Sequence, residues 1–127
     1  MEAEKQKTLR AQTMAAEIQS DLLGEDSALR EIITRLVDAY QPERVYLFGS
    51  MARGDQGPES DYDLLVVVAD DATPQRQRSR LAYESLWGTG TAADVLVCTE
   101  GWFRSRVGVV TSLPAIVMRE GKLLYAA

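Results

Sequence analysis

Histidine is absent from the chain. That removes the Ser–His–Asp triad, the Cys–His dyad and most zinc chemistry, so any catalysis must rest on carboxylates, hydroxyls, basic side chains or borrowed metal. Cysteine occurs once, as Cys98, so no intramolecular disulfide can form, which suits a reducing cytoplasm. No apolar run approaches membrane-spanning length, and the opening Met1-Glu2-Ala3-Glu4-Lys5 lacks the apolar stretch of a signal peptide. A cytoplasmic protein with no membrane association is therefore expected. A long basic run is missing too: 14 Lys+Arg against 19 Asp+Glu leave a net charge of -5. Direct nucleic-acid binding, which needs a basic footprint, is not expected.

What remains is the composition of an ordinary globular protein, 46% hydrophobic and 26% charged, at a length suited to one domain. Residues 5 to 23 carry a thin apolar stripe (Ala11, Met14, Ala15, Ile18, Leu22) and read as a peripheral helix. This divides the chain into an N-terminal helical extension, 1–24, and a main domain, 25–127. Asp26 or Ser27 then caps a strongly one-sided helix through Leu29, Ile32, Ile33, Leu36, Val37 and Tyr40, stopped by Gln41-Pro42. Val45 to Phe48 and Asp63 to Val68 are continuous apolar runs, as expected of strands buried on both faces. Ser50 to Arg53 reads as a short helix closed by Gly54, and Asp55 to Ser60 as a loop. Thr73-Pro74 opens a helix expected to run from Gln75 to Trp87 and to end at Gly88. Ala93 to Cys98 reads as a third strand. Trp102-Phe103 begins a helical segment, Leu113-Pro114 another that ends at Gly121, and Lys122 to Tyr125 a short last strand. The fold class is α/β, with a small mixed sheet flanked by helices.

The chemistry concentrates around two short stretches. Gly49-Ser50 follows the first strand, where glycine lets the chain turn and lets a phosphate approach without a Cβ in the way. Ser50 adds a hydroxyl and free backbone N–H groups, and Arg53, one turn on, a cation for a phosphate oxygen. A plain tight turn accounts for the same residues. Asp61 and Asp63 are two apart at the entrance of a strand, so alternation puts both carboxylates on one face. Side by side they repel, and Mg²⁺ is the natural counter-ion for clustered carboxylate oxygens. Asp94 shares a strand face with Leu96 and Cys98. If its strand lies beside that of Asp63, three acids could hold two metal ions across a phosphoryl transfer, and Asp94 could take a proton from the attacking hydroxyl.

The run Phe48-Gly49-Ser50, a ten-residue spacer and then Asp61-Tyr62-Asp63-Leu64 resembles the signature of the DNA polymerase β nucleotidyltransferase superfamily. Gly49-Ser50-Met51-Ala52-Arg53-Gly54 with Ser60-Asp61-Tyr62-Asp63-Leu64 is most similar to the minimal nucleotidyltransferase (MNT) antitoxins. The resemblance spans roughly residues 29 to 125, with Asp94 as the third acid, and implies a polymerase β palm-like fold. It implies an Mg²⁺-dependent protein adenylyltransferase, using two ions and ATP as substrate, that silences a HEPN-type ribonuclease toxin by placing AMP on a tyrosine. Gly49 and Ser50, with Arg53, would hold the triphosphate, and Asp61, Asp63 and Asp94 the metals. Residues before Glu25 have no counterpart in the minimal core.

Two other functions fit the same residues. The chain could be a non-catalytic antitoxin that acts by binding alone, or a nucleotidyltransferase acting on a small molecule such as an aminoglycoside. The second is disfavoured because nothing obvious in so short a chain encloses a drug-sized acceptor. Cys98 reads as a small core residue rather than a nucleophile, Trp87, Trp102 and Phe103 as core before a toxin-facing patch, and Arg76, Arg78 and Arg80 as a solvated helix face before a contact for nucleotide or an acidic partner.

Overall fold

A computed structural model describes residues 26–54 and 61–127. The helix expected over 5–23 and the loop expected at Asp55–Ser60 lie outside the described residues. Helix α1, Ser27–Tyr40, starts where Asp26 accepts a hydrogen bond from the Leu29 N–H at 2.9 Å and stops at Gln41, which adopts a left-handed φ of 48°. Pro42 follows and cannot continue a helix. The i, i+3, i+4 spacing of Leu29, Ile32, Ile33, Leu36 and Tyr40 buries one stripe of this helix completely.

Strand β1, Arg44–Phe48, leads into the short helix α2, Gly49–Arg53, and β2 spans Tyr62–Val68. The helix expected from Gln75 to Trp87 is broken. A 3-10 turn, Pro74–Gln77, is followed by an extended Arg78, and α3 covers only Arg80–Ser85. The break is held by Tyr40: its hydroxyl donates to the Arg78 carbonyl at 2.5 Å and accepts from the Ala82 N–H at 2.8 Å. Those two bonds satisfy a buried phenol, and they require the chain to be bent there. Arg76, Arg78 and Arg80 consequently do not form one helix face. Strand β3, Ala93–Thr99, helix α4, Glu100–Arg106, helix α5, Leu113–Glu120, and β4, Lys122–Ala126, complete the chain.

The sheet order is β3-β2-β1-β4. β1 is antiparallel to both β2 and β4, and β2 is parallel to β3, so the sheet is mixed. On one face Val45, Leu47, Leu64, Val66, Val68, Val95 and Leu124 pack beneath α1 and Ala82 of α3. The alternate residues Tyr46, Leu65 and Val67 form a smaller core with Phe103 of α4 and Val117 of α5. Tyr46 and Phe103 stack with centroids 5.6 Å apart. Arg44 lies over the Phe103 ring and pairs with Glu100, tying α4 to β1. Phe103 is core as expected. Trp87 is not: it is 85% exposed, because the broken helix ends before it. Trp102 is also partly exposed, at 37%. Among the described residues no helix is long and apolar enough to cross a membrane.

Candidate functional site

Among the described residues the second sheet face is only partly covered, and the end they leave uncovered carries the acids. Alternation sets Phe48 of β1, Asp63 of β2 and Asp94 of β3 on the same face as Tyr46, Leu65 and Leu96. The antiparallel register pairs Phe48 with Asp63, and the parallel register pairs Asp63 with Asp94. Asp94 and Asp61 are exposed, and Asp63 is half-buried between them. Asp61 lies just ahead of β2, outside the ladder.

The turn after β1 is pressed onto this end. Gly49 has φ +73°, and a Cβ built on it would stand 2.2 Å from Oδ2 of Asp63. Only glycine meets both conditions, because an L side chain is strained at that φ and collides with the carboxylate. Ser50 follows in α2, whose last residue is Arg53. Gly54 then closes the helix, its N–H donating to the Ser50 carbonyl at 3.0 Å. Arg53 lies 3.9 Å from Glu120 at the end of α5, a partner the sequence did not signal. Beneath the site, the Tyr62 hydroxyl donates to Asp26 at 2.5 Å, anchoring the start of β2 to the start of α1. Burial, followed by this hydrogen bond, pushes the Tyr62 phenol up to about 12.

Electrostatics join the same residues. Burial raises the Asp63 pKa above the usual carboxylate range, and the charges of Asp94 and then Asp61 raise it further, while Arg53 opposes them. Asp61, Asp94 and Arg53 are therefore all close enough to be felt at Asp63. Among the described residues no three His, Cys, Asp or Glu side chains are grouped closely enough to hold an ion ready-made. The core of the cluster is the Asp63–Asp94 pair, and Asp61 flanks it. This donor set fits a hard divalent cation: every donor is a carboxylate oxygen, and the mutual repulsion at Asp63 is what a cation relieves. The cradle beside Gly49, free of any Cβ, fits a phosphate.

Elsewhere, burial pushes the Cys98 thiol up to about 11, so it is a poor nucleophile at neutral pH. What sequence reasoning missed lies along β3. Leu96, on the same face as Asp94, is 42% exposed and borders a groove of about 630 Å³ with Trp102, Leu113 and Arg78. A run of alternating apolar residues cannot reveal by itself that its strand is the sheet edge.

Comparison with known proteins follows this geometry. The family model described as "Nucleotidyltransferase domain" matches residues 29–124. A relative from Methanocaldococcus jannaschii, provisionally named a protein adenylyltransferase, is 30% identical over 105 residues, covering 81% of this chain and 100% of that protein. A crystal structure of a toxin–antitoxin with AMP-PNP contains a chain 27% identical, with TM-score 0.54, covering 77% of this chain and 73% of that one. A provisionally named nucleotidyltransferase from Sulfolobus solfataricus is 26% identical with TM-score 0.51, covering 87% of this chain and 85% of that one. The toxin–antitoxin MntA-HpeT, in a mutant form, is 22% identical with TM-score 0.52 over 77% of this chain and 73% of that one, a likeness of fold alone.

Proposed function

The chain belongs to the nucleotidyltransferase domain family, and on that premise we propose that it is an antitoxin-type protein adenylyltransferase. In this reading it moves AMP from ATP onto a tyrosine of a HEPN-type toxin, with magnesium held at the acids. The observation that carries the reading is the pairing of Asp63 with Asp94 across β2 and β3, directly beside a glycine that leaves no room for a side chain. The name of the M. jannaschii relative, and the AMP-PNP in a toxin–antitoxin neighbour, support a nucleotide donor and a protein acceptor.

Each residue has a role that its position allows. Gly49 admits the triphosphate close to the backbone, Ser50 offers it a hydroxyl, and Arg53 offers a cation at the same end of the sheet. Asp61, Asp63 and Asp94 would hold two magnesium ions. Bound there, magnesium supplies positive charge against the phosphoryl oxygens. Asp94, exposed on β3, accepts the proton of the acceptor hydroxyl. The freed oxygen bonds to the α-phosphorus as the bond from that phosphorus to the bridging oxygen breaks, and pyrophosphate leaves.

The test uses the full chain with ATP, magnesium and a co-purified HEPN protein, read by intact-mass spectrometry. An AMP adduct is expected on the HEPN protein with the wild type and none with Asp61→Asn, while both still form the complex. A complex that forms without any adduct would reduce the protein to an antitoxin acting by binding. An adduct found on an aminoglycoside instead would move the acceptor to a small molecule.

A further inference from the structure

The bend held by the Tyr40 hydroxyl builds one wall of the groove beside β3. Arg78 is extended, with φ −118° and ψ 143°, and the turn Pro74–Gln77 ahead of it packs against the strand. Gln77, Arg78 and Ser79 thus stand along residues 96 to 99, around a space of about 630 Å³. Trp102 of α4 and Leu113 of α5 line it as well, and Leu65 and Leu96 face it from the sheet. Two of these large side chains, Leu96 and Trp102, are left 42% and 37% exposed. The Arg106 guanidinium, 4.7 Å over the Trp102 ring, restrains that ring where it stands. A mostly apolar lining with a few polar groups, and a volume between about 300 and 1,000 Å³, are the features of a site for a small organic ligand.

The groove is continuous with the acids. Leu65 follows Asp63 by two residues on β2, and Leu96 follows Asp94 by two on β3, so all four side chains share one sheet face. Two residues of strand are a rise of about 7 Å. The Gly49-Ser50 turn lies on the other flank of Asp63, at the end of β1, the neighbour of β2 on the side away from β3. Three directions therefore leave the Asp63–Asp94 pair. One runs sideways to the phosphate cradle, one sideways past Asp94, and one along the strands into the groove. An in-line displacement at phosphorus uses the first two, because the leaving pyrophosphate and the attacking hydroxyl stand opposite each other. The oxygen that carries the nucleoside stands roughly at right angles to that axis, and the groove lies in that third direction.

We propose that this groove is the nucleoside subsite: it takes the ribose and base of the nucleotide donor, with the base against Trp102 and Leu96. The ribose covers the rise from the acids to Leu96, and contact of the base with the aromatic ring and the leucines holds it there. This rests on the reading that the chain transfers a nucleotide. It adds which residues hold the base and from which side the acceptor comes. With the groove filled, the acceptor hydroxyl reaches the α-phosphorus past Asp94, the residue assigned to take its proton.

The experiment uses the full chain with magnesium and two probes: AMP-PNP, and inorganic tripolyphosphate, which has the phosphates but no nucleoside. The chain has two tryptophans, Trp87 and Trp102. In a Trp87→Phe variant, changed at an exposed position outside the groove, only Trp102 emits. AMP-PNP is expected to quench that emission and tripolyphosphate to leave it unchanged. In calorimetry Trp102→Ala and Leu96→Gln, which remove contact surface without adding charge, should each weaken AMP-PNP about tenfold or more and leave tripolyphosphate binding unchanged. Thermal melting confirms that each variant is folded. AMP-PNP binding undiminished in both variants, or quenching by both probes alike, overturns the proposal while the nucleotidyltransferase reading stands. An equal loss for both probes overturns it too, because the two residues would then support only the fold of the site. Quenching of Trp102 by the co-purified toxin partner that AMP-PNP does not displace would give the groove to the acceptor. No binding of AMP-PNP to the wild type sinks both readings. Selective loss of AMP-PNP binding in the variants, with no AMP adduct on any acceptor, keeps the subsite and removes the transfer.

Discussion

Replacing Gly49 by alanine tests two physical effects at one position, and a second glycine separates them. At φ +73° an L residue is strained by roughly 1–2 kcal/mol. For a chain of this size that corresponds to a fall in Tm of about 3–10 °C. Gly90 has nearly the same backbone, φ +71°, but a Cβ there meets nothing within 4 Å. Gly90→Ala should therefore show the strain alone. At Gly49 the new Cβ falls 2.2 Å from the Asp63 carboxylate, where real contacts are never under 3.0 Å. Asp63 must retreat by about 1 Å, and a misplacement of that size at a reacting centre costs on the order of 10²-fold in rate. The assay is AMP transfer to the proposed toxin partner under saturating ATP, with Tm measured alongside. Expected is a similar loss of stability in both variants and a loss of about 100-fold in transfer for Gly49→Ala only. Equal transfer by the two variants, whatever its level, would refute the claim that this glycine exists to admit Asp63 and a phosphate.

If Asp94 is the proton acceptor proposed above, Asp94→Asn should leave the fold and melting intact and lower transfer by about 10²–10⁴-fold, measured on the same adduct. Tyr40→Phe should cost about 0.5–1.5 kcal/mol in denaturant titration: it removes both hydrogen bonds of the buried phenol, but the Ala82 N–H keeps the Ser79 carbonyl at 3.0 Å. With Cys98 pushed up to about 11 from 9.0 by burial, iodoacetamide at pH 8 should alkylate the folded protein about 100-fold more slowly than the chain unfolded in denaturant. The sign follows from the raised value: the folded state keeps the thiol proton, so this contribution to stability is whole below pH 9 and lost as pH rises through 11. A Cys98→Ala variant should melt with a flatter alkaline limb over that interval.

Much of the fold was legible because its signals are local. The α1 stripe from Leu29 to Tyr40, the apolar runs of β1 and β2, and the stop at Gln41-Pro42 are each dictated within a few residues. The Gly49-Ser50 turn and the Asp61 and Asp63 spacing were legible for the same reason. The bend at Arg78 was not, because its cause is a phenol 38 residues away in sequence. Trp87 was misread separately: the helix ends at Ser85, before it, and the ring stands in solvent. Nor could alternation within Ala93–Thr99 show which strand would be the sheet edge, since edge position depends on every other pairing.

The mixed sheet is what makes one carboxylate the centre of the site. An antiparallel neighbour brings the end of β1, and with it the Gly49-Ser50 turn, to the start of β2. A parallel neighbour brings the start of β3, and with it Asp94, to the same place. An all-parallel sheet would send the turn after β1 to the far end of β2, and an all-antiparallel one would do the same to Asp94. Register is as constrained as direction. A slip of one residue along β2 would turn Asp63 into the face packed by Ile32, Ile33 and Leu36, where an unpaired carboxylate is prohibitively costly. The apolar core beneath α1 thus enforces the alignment that sets Asp63 against both Gly49 and Asp94. Residues that never approach a substrate decide whether the acids meet.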